Sequence, residues 1–353
     1  MSNSRRFAEC ALSPLLTRKQ VLRAALNGAS AAALLTVPAL FPRIGNARAA
    51  DKISPDAAGA PQTARAPDKL AQVSEIAPGV FVHHGHIGIY SPSNGGDICN
   101  TGFIIGRDAV AVIDTGGTAH LGEALKAKIT ALTDRPIRYV INTHMHPDHV
   151  LGNAPFRAEG TQFVGHHKLG AALAARAERY LSFNKDAVGA AEFAGTEIVL
   201  PTLTVTDRLE LDLGDRKLVL TARPTAHTDN DLTVRDSHTE TEFMGDLIFS
   251  IHVPTLDGSI RGWLALLDVL EAQSAQRIVP GHGPASMEWP AAAAPVKRYL
   301  TTVANGVRQA IKDGQTMSEA VETVGLDERD RWQMFDEFHR RNVSAAFAEL
   351  EWE

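Results

Sequence analysis

Between residues 73 and 290 the apolar positions come in short runs broken by Gly, Asp, Asn and Pro, a spacing that predicts brief strands with a few helices between them. Strands are expected over 80–82, 103–105 and 110–113, the last running into Asp114-Thr115-Gly116-Gly117; a helix follows over 118–132 and a strand over 137–142. A helical stretch over 166–184 separates this block from strands at 202–205, 209–213, 217–222, 232–235 and 242–244. A helix over 259–272 and a strand over 277–279 lead to the turn Pro280-Gly281-His282-Gly283-Pro284. Strands that dominate twice, with helices between and after, point to two facing sheets with helices outside rather than one doubly wound parallel sheet. From about residue 290 the pattern becomes wholly helical, over 296–311, 318–324 and 330–350. The expected organisation is a sandwich domain over 73–289 and a helical C-terminal extension over 290–353 packed on it.

Length and composition suit one large domain with additions: 353 residues, 44% of them hydrophobic, can form a sizeable core. The amino terminus changes the picture more. Thr17-Arg18-Lys19-Gln20-Val21-Leu22-Arg23 precedes an Ala/Leu-rich run over 24–40, and Ala47-Arg48-Ala49 offers a small-residue cleavage site. This pattern resembles a twin-arginine export signal with Lys19 in place of the second arginine, so residues 1–49 are expected to be removed on delivery to the periplasm. The Ala-, Pro- and Asp-rich stretch over 50–72 reads as a linker. The run over 24–40 is short, Ala-dominated and interrupted by Pro38, which argues against stable membrane insertion. Without the first 49 residues the chain carries 28 basic against 40 acidic residues, a net charge of -12, the wrong sign for a nucleic-acid binder. With Cys10 removed, Cys99 alone remains and no internal disulfide is expected.

The densest chemistry lies in His144-Met145-His146-Pro147-Asp148-His149, directly after the apolar run Tyr139-Val140-Ile141. Three imidazoles and a carboxylate in six residues form a donor set suited to a borderline cation such as zinc. In an extended chain, side chains two apart point the same way, so His144 and His146 can converge on one ion. Pro147 breaks the strand, and Asp148 and His149 can face a second ion beside the first. Asp114 and Thr143 either fix imidazole tautomers or simply cap strand ends. His83 and His84 face opposite ways in a strand, so surface placement is expected for them and for His86. His166 and His167 are expected to be solvated at a helix start, and Cys99 to sit in a flexible loop without a catalytic role. His252, Arg261 and Trp263 could line a cleft, with packing an equal reading for Trp263.

These motifs resemble those of the metallo-β-lactamase superfamily over roughly residues 73–284. Pro224-Thr225-Ala226-His227-Thr228-Asp229-Asn230 is similar to the family's third-histidine loop, Phe243-Met244-Gly245-Asp246 to its bridging-aspartate strand, and Gly281-His282-Gly283 supplies a last histidine. The resemblance implies an α/β (α+β) fold, an αββα sandwich of two mixed sheets with the metals at one edge. It implies that His144, His146 and His227 hold one zinc ion, that Asp148, His149 and His282 hold a second, and that Asp246 bridges them, with iron or manganese as alternative ions. Catalysis would then use a metal-bridging hydroxide oriented by Asp148 and Asp246. Aspartate at 246, where true zinc β-lactamases generally carry cysteine or serine, favours the ester, thioester and lactone hydrolase branches.

Finer motifs narrow the resemblance. Residues 142–153 around the cluster, the segment from His252 to Trp263, Asn342 and Glu349-Leu350-Glu351-Trp352 are similar to those of the quinoprotein relay system zinc metallohydrolases. That resemblance implies a small-molecule substrate and a functional link to a pyrroloquinoline-quinone-dependent dehydrogenase. Amide hydrolysis of the β-lactamase kind, and a non-enzymatic metal-holding accessory to such a dehydrogenase, are the competing readings.

Overall fold

The computed structural model describes residues 72–353. The expected export signal, and the linker up to residue 71, lie outside the described residues. The first sheet has seven strands in sequence order: β1 (Val73–Ala77), β2 (Val80–His83), β3 (Thr101–Ile105), β4 (Val110–Ile113), β5 (Ile137–Ile141), β6 (Gln162–His166) and β7 (Leu203–Val205). Strands β1 to β4 pair antiparallel, and β4 to β7 pair parallel, so the sheet is mixed. The second sheet has the order β12-β11-β10-β9-β8, from β8 (Arg208–Asp212), β9 (Lys217–Ala222), β10 (Leu232–Asp236), β11 (Thr241–Phe249) and β12 (Arg277–His282). Only its β11–β12 pairing is parallel.

The layers follow from side-chain alternation. Every residue of β4 is buried: Ala111 and Ile113 join Leu218, Leu220 and Val234 between the sheets, while Val110 and Val112 pack outward with Leu125 and Ile129. Those last two belong to α1 (Ala119–Leu132), whose first turn is capped by the Thr118 hydroxyl accepting from the Leu121 amide. The outer face of the second sheet is covered by α4 (Ile260–Glu271), α5 (Ala293–Lys312) and α7 (Phe335–Leu350); α6 (Met317–Thr323) lies between the last two in sequence. Met244, Ile248 and Ile278 share one apolar cluster with Trp263, Tyr299 and Val343, so the C-terminal helices form a continuous core with the sandwich. The result is the expected αββα arrangement. No helix among the described residues is long and apolar enough to cross a membrane.

Three elements differ from expectation. Strand β1 is a polar edge strand, Val-Ser-Glu-Ile-Ala, without an apolar run to announce it. Residues 162–166 form a strand, and α3 (Leu169–Val188) starts only after it. His166 is therefore 3% exposed at a strand end, not solvated at a helix start. Strand β11 extends to Phe249 because all nine of its residues are buried, which erases the alternation that would have marked its length.

Candidate metal centre

The six-residue cluster follows β5 after Asn142 and Thr143. His144 and His146 turn inward together, while Met145 between them points the other way into an apolar cluster with Leu151, Leu169, Leu173 and Phe193. Pro147 opens the one-turn helix α2 (Pro147–Val150), which carries Asp148 and His149. His227 comes from the loop before β10, Asp246 from within β11, and His282 from the last position of β12. All seven expected ligands thus meet at one edge of the sandwich. Four of them, His144, His146, His227 and Asp246, form one group and His149, Asp246 and His282 another, each with donor atoms within 4.8 Å of one another.

The hydrogen bonds behind the rings decide how the rings face. His227 Nδ1 lies 2.7 Å from the Thr255 carbonyl and His282 Nδ1 lies 2.8 Å from the Ile98 carbonyl. A carbonyl only accepts, so both Nδ1 atoms carry hydrogen and both Nε2 atoms point inward. His149 Nδ1 donates to Asp114 Oδ2 at 2.8 Å. Thr143 Oγ1 gives its hydrogen to Asp114 at 2.7 Å and can only accept from His144 Nδ1 at 3.0 Å. His146 is reversed: its Nε2 donates to Asp257 Oδ2 at 3.1 Å, and its Nδ1 faces the centre. Asp114 and Thr143 thus fix imidazole tautomers. Asp114 does so from the left-handed backbone region, φ 54°, which aspartate tolerates better than most side chains.

Five imidazole nitrogens therefore converge, and each would present a lone pair inward when its ring is neutral. His146 Nδ1 stands 3.1 Å from His144 Nε2 and 3.0 Å from His227 Nε2. Asp246 Oδ2 lies 3.7, 3.4 and 3.4 Å from Nε2 of His144, His227 and His282, and its Oδ1 lies 3.2 Å from His149 Nε2. Asp148 Oδ2 is 3.3 Å from His282 Nε2 and 3.5 Å from His149 Nε2. Two donors each about 2.1 Å from one tetrahedral ion stand about 3.4 Å apart, so these separations fit shared cations. His149 Nε2 and Asp246 Oδ1 are fully buried 3.2 Å apart with no other hydrogen-bond partner, an arrangement that would be costly unless a proton or a metal cation lay between them.

The electrostatics agree. Burial drives the His144 pKa well below its ordinary value, and burial likewise holds His227 at about 3, so both rings are neutral. Burial also disfavours charge on His149 and His282, but the carboxylates beside them outweigh it: Asp246, Asp148 and Asp114 raise His149 well above its usual range, and Asp246 and Asp148 raise His282 to about 9. Against their own burial, Asp148 is lowered to about 2 and Asp246 well below the usual range by the neighbouring imidazoles. The pocket therefore attracts positive charge to the place between these groups.

Other residues fall out differently from expectation. Cys99 is 1% exposed, and its thiol donates to the Asp148 carbonyl at 2.8 Å, bracing the ligand helix rather than lying in a flexible loop. His83 is buried, with Nε2 2.7 Å from Asp97 Oδ1 and Nδ1 3.0 Å from the Gln72 carbonyl; His84 and His86 are exposed. Trp263 is fully buried and donates Nε1 to the Leu247 carbonyl, 3.1 Å away. Arg261 is exposed, whereas His252 is 3% exposed with its ring centroid 5.1 Å from that of His282. Asp257 and the carbonyls of Thr255 and Ile98 were not anticipated. Asp257 lies 111 positions from His146, and a carbonyl leaves no mark in a sequence.

The Gly281 position shows how closely the second sheet is fitted to the centre. A β-carbon there would fall 1.8 Å from Asp246 Oδ1, so only glycine leaves room for the carboxylate.

Comparison with known proteins agrees with this fold. A metallo-beta-lactamase from Pontibacter korlensis is 19% identical, with a TM-score of 0.52 over 65% of this chain and 99% of its own. The DIM-1 metallo-beta-lactamase, in a structure exposed to ceftazidime, is 17% identical with a TM-score of 0.51 over 66% of this chain and 97% of its own. The inverting sec-alkylsulfatase Pisa1 from Pseudomonas sp. is 15% identical with a TM-score of 0.62, covering 79% of this chain and 50% of the sulfatase. A search of curated proteins gives no match. The family model of the metallo-beta-lactamase superfamily matches residues 94–282, more than half of the 353 residues, and the chain belongs to that superfamily.

Proposed function

We propose that this chain is an exported binuclear zinc hydrolase that cleaves a small ester, thioester or lactone. The observation that carries the reading is the convergence of five inward-facing imidazole nitrogens on the Asp148 and Asp246 carboxylates. His144, His146 and His227 would hold one ion and Asp148, His149 and His282 the other, with Asp246 between them because its two oxygens face both groups. Neutral imidazole and carboxylate suit zinc, and iron or manganese would accept the same set. When bound, such a pair supplies Lewis acidity and water of lowered pKa, so the reaction needs no nucleophilic side chain.

The chain's own contribution is positional. Asp246, whose side chain is 3% exposed, is a fixed negative charge at the base of the centre. The Asp148 side chain, 11% exposed, stands nearer the opening, where its carboxylate can orient an incoming water through an accepted hydrogen bond. Its backbone is braced by the Cys99 thiol. Phe249 stacks on His282 with ring planes 6° apart and helps keep bulk water from that side.

The link to quinoprotein alcohol oxidation rests on the motif resemblance. The deciding experiment quantifies metal on the native protein and assays it against thioesters, lactones, β-lactams and a secondary alkyl sulfate, with His146→Ala as control. Near two zinc ions per chain and hydrolysis that the variant loses are expected. Hydrolysis that survives complete metal removal would sink the reading.

A further inference from the structure

The C-terminal helix α7 and the segment leading into it make a continuous set of hydrogen bonds to the loop of residues 251–259 that follows β11 and to the first residue of α4. Gln333 pairs with both ends of its first turn, donating to the Ile251 carbonyl at 2.8 Å and accepting from the Val253 amide at 3.0 Å. Ile251 sits there at φ 70°, a conformation that a β-branched residue adopts only when its surroundings impose it. Asn342 donates to the Pro254 carbonyl at 2.6 Å and accepts from the Leu256 amide at 2.9 Å. Arg341 reaches Asp257 Oδ1 at 3.0 Å. Glu349 accepts from the Ser259 hydroxyl at 2.7 Å and from the Ile260 amide at 2.8 Å.

The same loop is what holds two rings of one ligand group. Its Thr255 carbonyl takes the hydrogen of His227 Nδ1, and its Asp257 Oδ2 takes that of His146 Nε2. Its backbone is also tied to the His227 loop, with Asp257 N donating to the His227 carbonyl at 3.0 Å and Ser259 N to the Ala226 carbonyl at 2.9 Å. The other group is anchored elsewhere: His282 on Ile98 and His149 on Asp114, both from the first-sheet half of the chain. Asp114 also backs His144 through the Thr143 hydroxyl, but the supports of His146 and His227 are separate from those of His149 and His282.

From this arrangement we infer that the C-terminal helix is a positioning element for one metal position only, the His144–His146–His227 position, acting through Arg341, Asn342 and the Asp257 carboxylate. Arg341 fixes Asp257 Oδ1, which leaves Oδ2 aimed at His146 and so keeps that ring with Nδ1 inward. Asn342 sets the height of the loop and with it the Thr255 carbonyl behind His227. Loss of these contacts loosens two of the three imidazoles at one position and leaves the Asp148–His149–His282 position intact.

The inference rests on the binuclear reading, and the test separates the two. Zinc content is measured in a series of zinc-buffered solutions, alongside the visible absorption of the cobalt-substituted protein, for wild type, Asp257→Asn, Asn342→Ala, Arg341→Met and Arg341→Lys. Arg340→Met serves as control; it lies on the same helix and pairs with Glu322. Arg341 is 59% exposed, so its replacement leaves the core undisturbed. Asp257→Asn is expected to weaken one of the two ions by about 10- to 100-fold, with the second bound as in wild type. Asn342→Ala and Arg341→Met should shift the same ion and the same cobalt band by less, Arg341→Lys should recover part of the loss, and Arg340→Met should change nothing. Equal weakening of both ions, or wild-type binding by Asp257→Asn, overturns the inference. A wild-type protein that binds fewer than two ions overturns the binuclear reading and the inference with it.

Discussion

Gly281 and Asp246 are matched so closely that the backbone of one shapes the space for the carboxylate of the other. Gly281→Ala places a methyl group within 1.8 Å of Asp246 Oδ1, where no rotamer change at 281 relieves it. The expected result is a displaced carboxylate, loss of at least one bound ion and loss of hydrolysis, in a protein that still folds. Metal content and circular dichroism check this together; a fully loaded, active alanine variant would contradict the geometry.

Asp114 holds two of the ligand rings from behind. It accepts from the Thr143 amide at 2.8 Å, the Thr143 hydroxyl at 2.7 Å and His149 Nδ1 at 2.8 Å. Asp114→Ala leaves three buried donors short of a partner, a loss of about 1–3 kcal/mol for each one stranded. Metal affinity should fall by about 10- to 100-fold. Denaturant titration and zinc competition measure the two effects separately, and an unchanged affinity would rule out the role assigned to Asp114.

Metal removal should lower the thermal midpoint, because the buried carboxylates and lone pairs lose what balances them. Zinc at 100 times its dissociation constant should restore about 2.7 kcal/mol. His146→Ala should show a smaller shift on adding zinc. Differential scanning with and without a chelator tests this, and a midpoint indifferent to metal would count against the centre.

The buried Arg216–Asp236 pair, which touches none of the metal-ligand side chains, contributes to acid stability. Burial alone would raise the Asp236 pKa, but hydrogen bonds from Arg216 and Thr239 lower it below the ordinary aspartate value. A depressed carboxylate stabilises the fold fully above the unfolded-state value of about 3.9, and that contribution is lost as pH falls through the folded-state value. Asp236→Asn should therefore destabilise at pH 7, by about 3–5 kcal/mol if the arginine is left buried and unpaired, with a difference that shrinks towards pH 3. Urea midpoints at the two pH values provide the check.

Much of the fold could be read from the chain because the apolar runs of strands such as β4 and β9 are bounded by turn residues, and their observed limits match expectation. Strand β1 escaped notice because an edge strand needs few apolar residues, and β6 because Gly165 and His166 look like the approach to a helix. Of the candidate site, only His144 to His149 was legible from local spacing. His227, Asp246 and His282 stood out through resemblance, since each is a single polar residue in an ordinary turn or strand. The groups that aim them, Asp257 and the Thr255 and Ile98 carbonyls, are set by tertiary contact and have no local signature.

Met145 gives the His-x-His spacing a meaning beyond ligand convergence. Because its side chain is locked among Leu169, Leu173 and Phe193, the end of β5 cannot rotate about its own axis without dragging a thioether out of oil and into water. Inserting or deleting one residue just ahead of His144 would exchange the two sides, sending sulfur towards His227 and Asp246 and both imidazoles into grease. The wall beneath α3 is in that sense the reference mark from which the placement of the two imidazoles is measured.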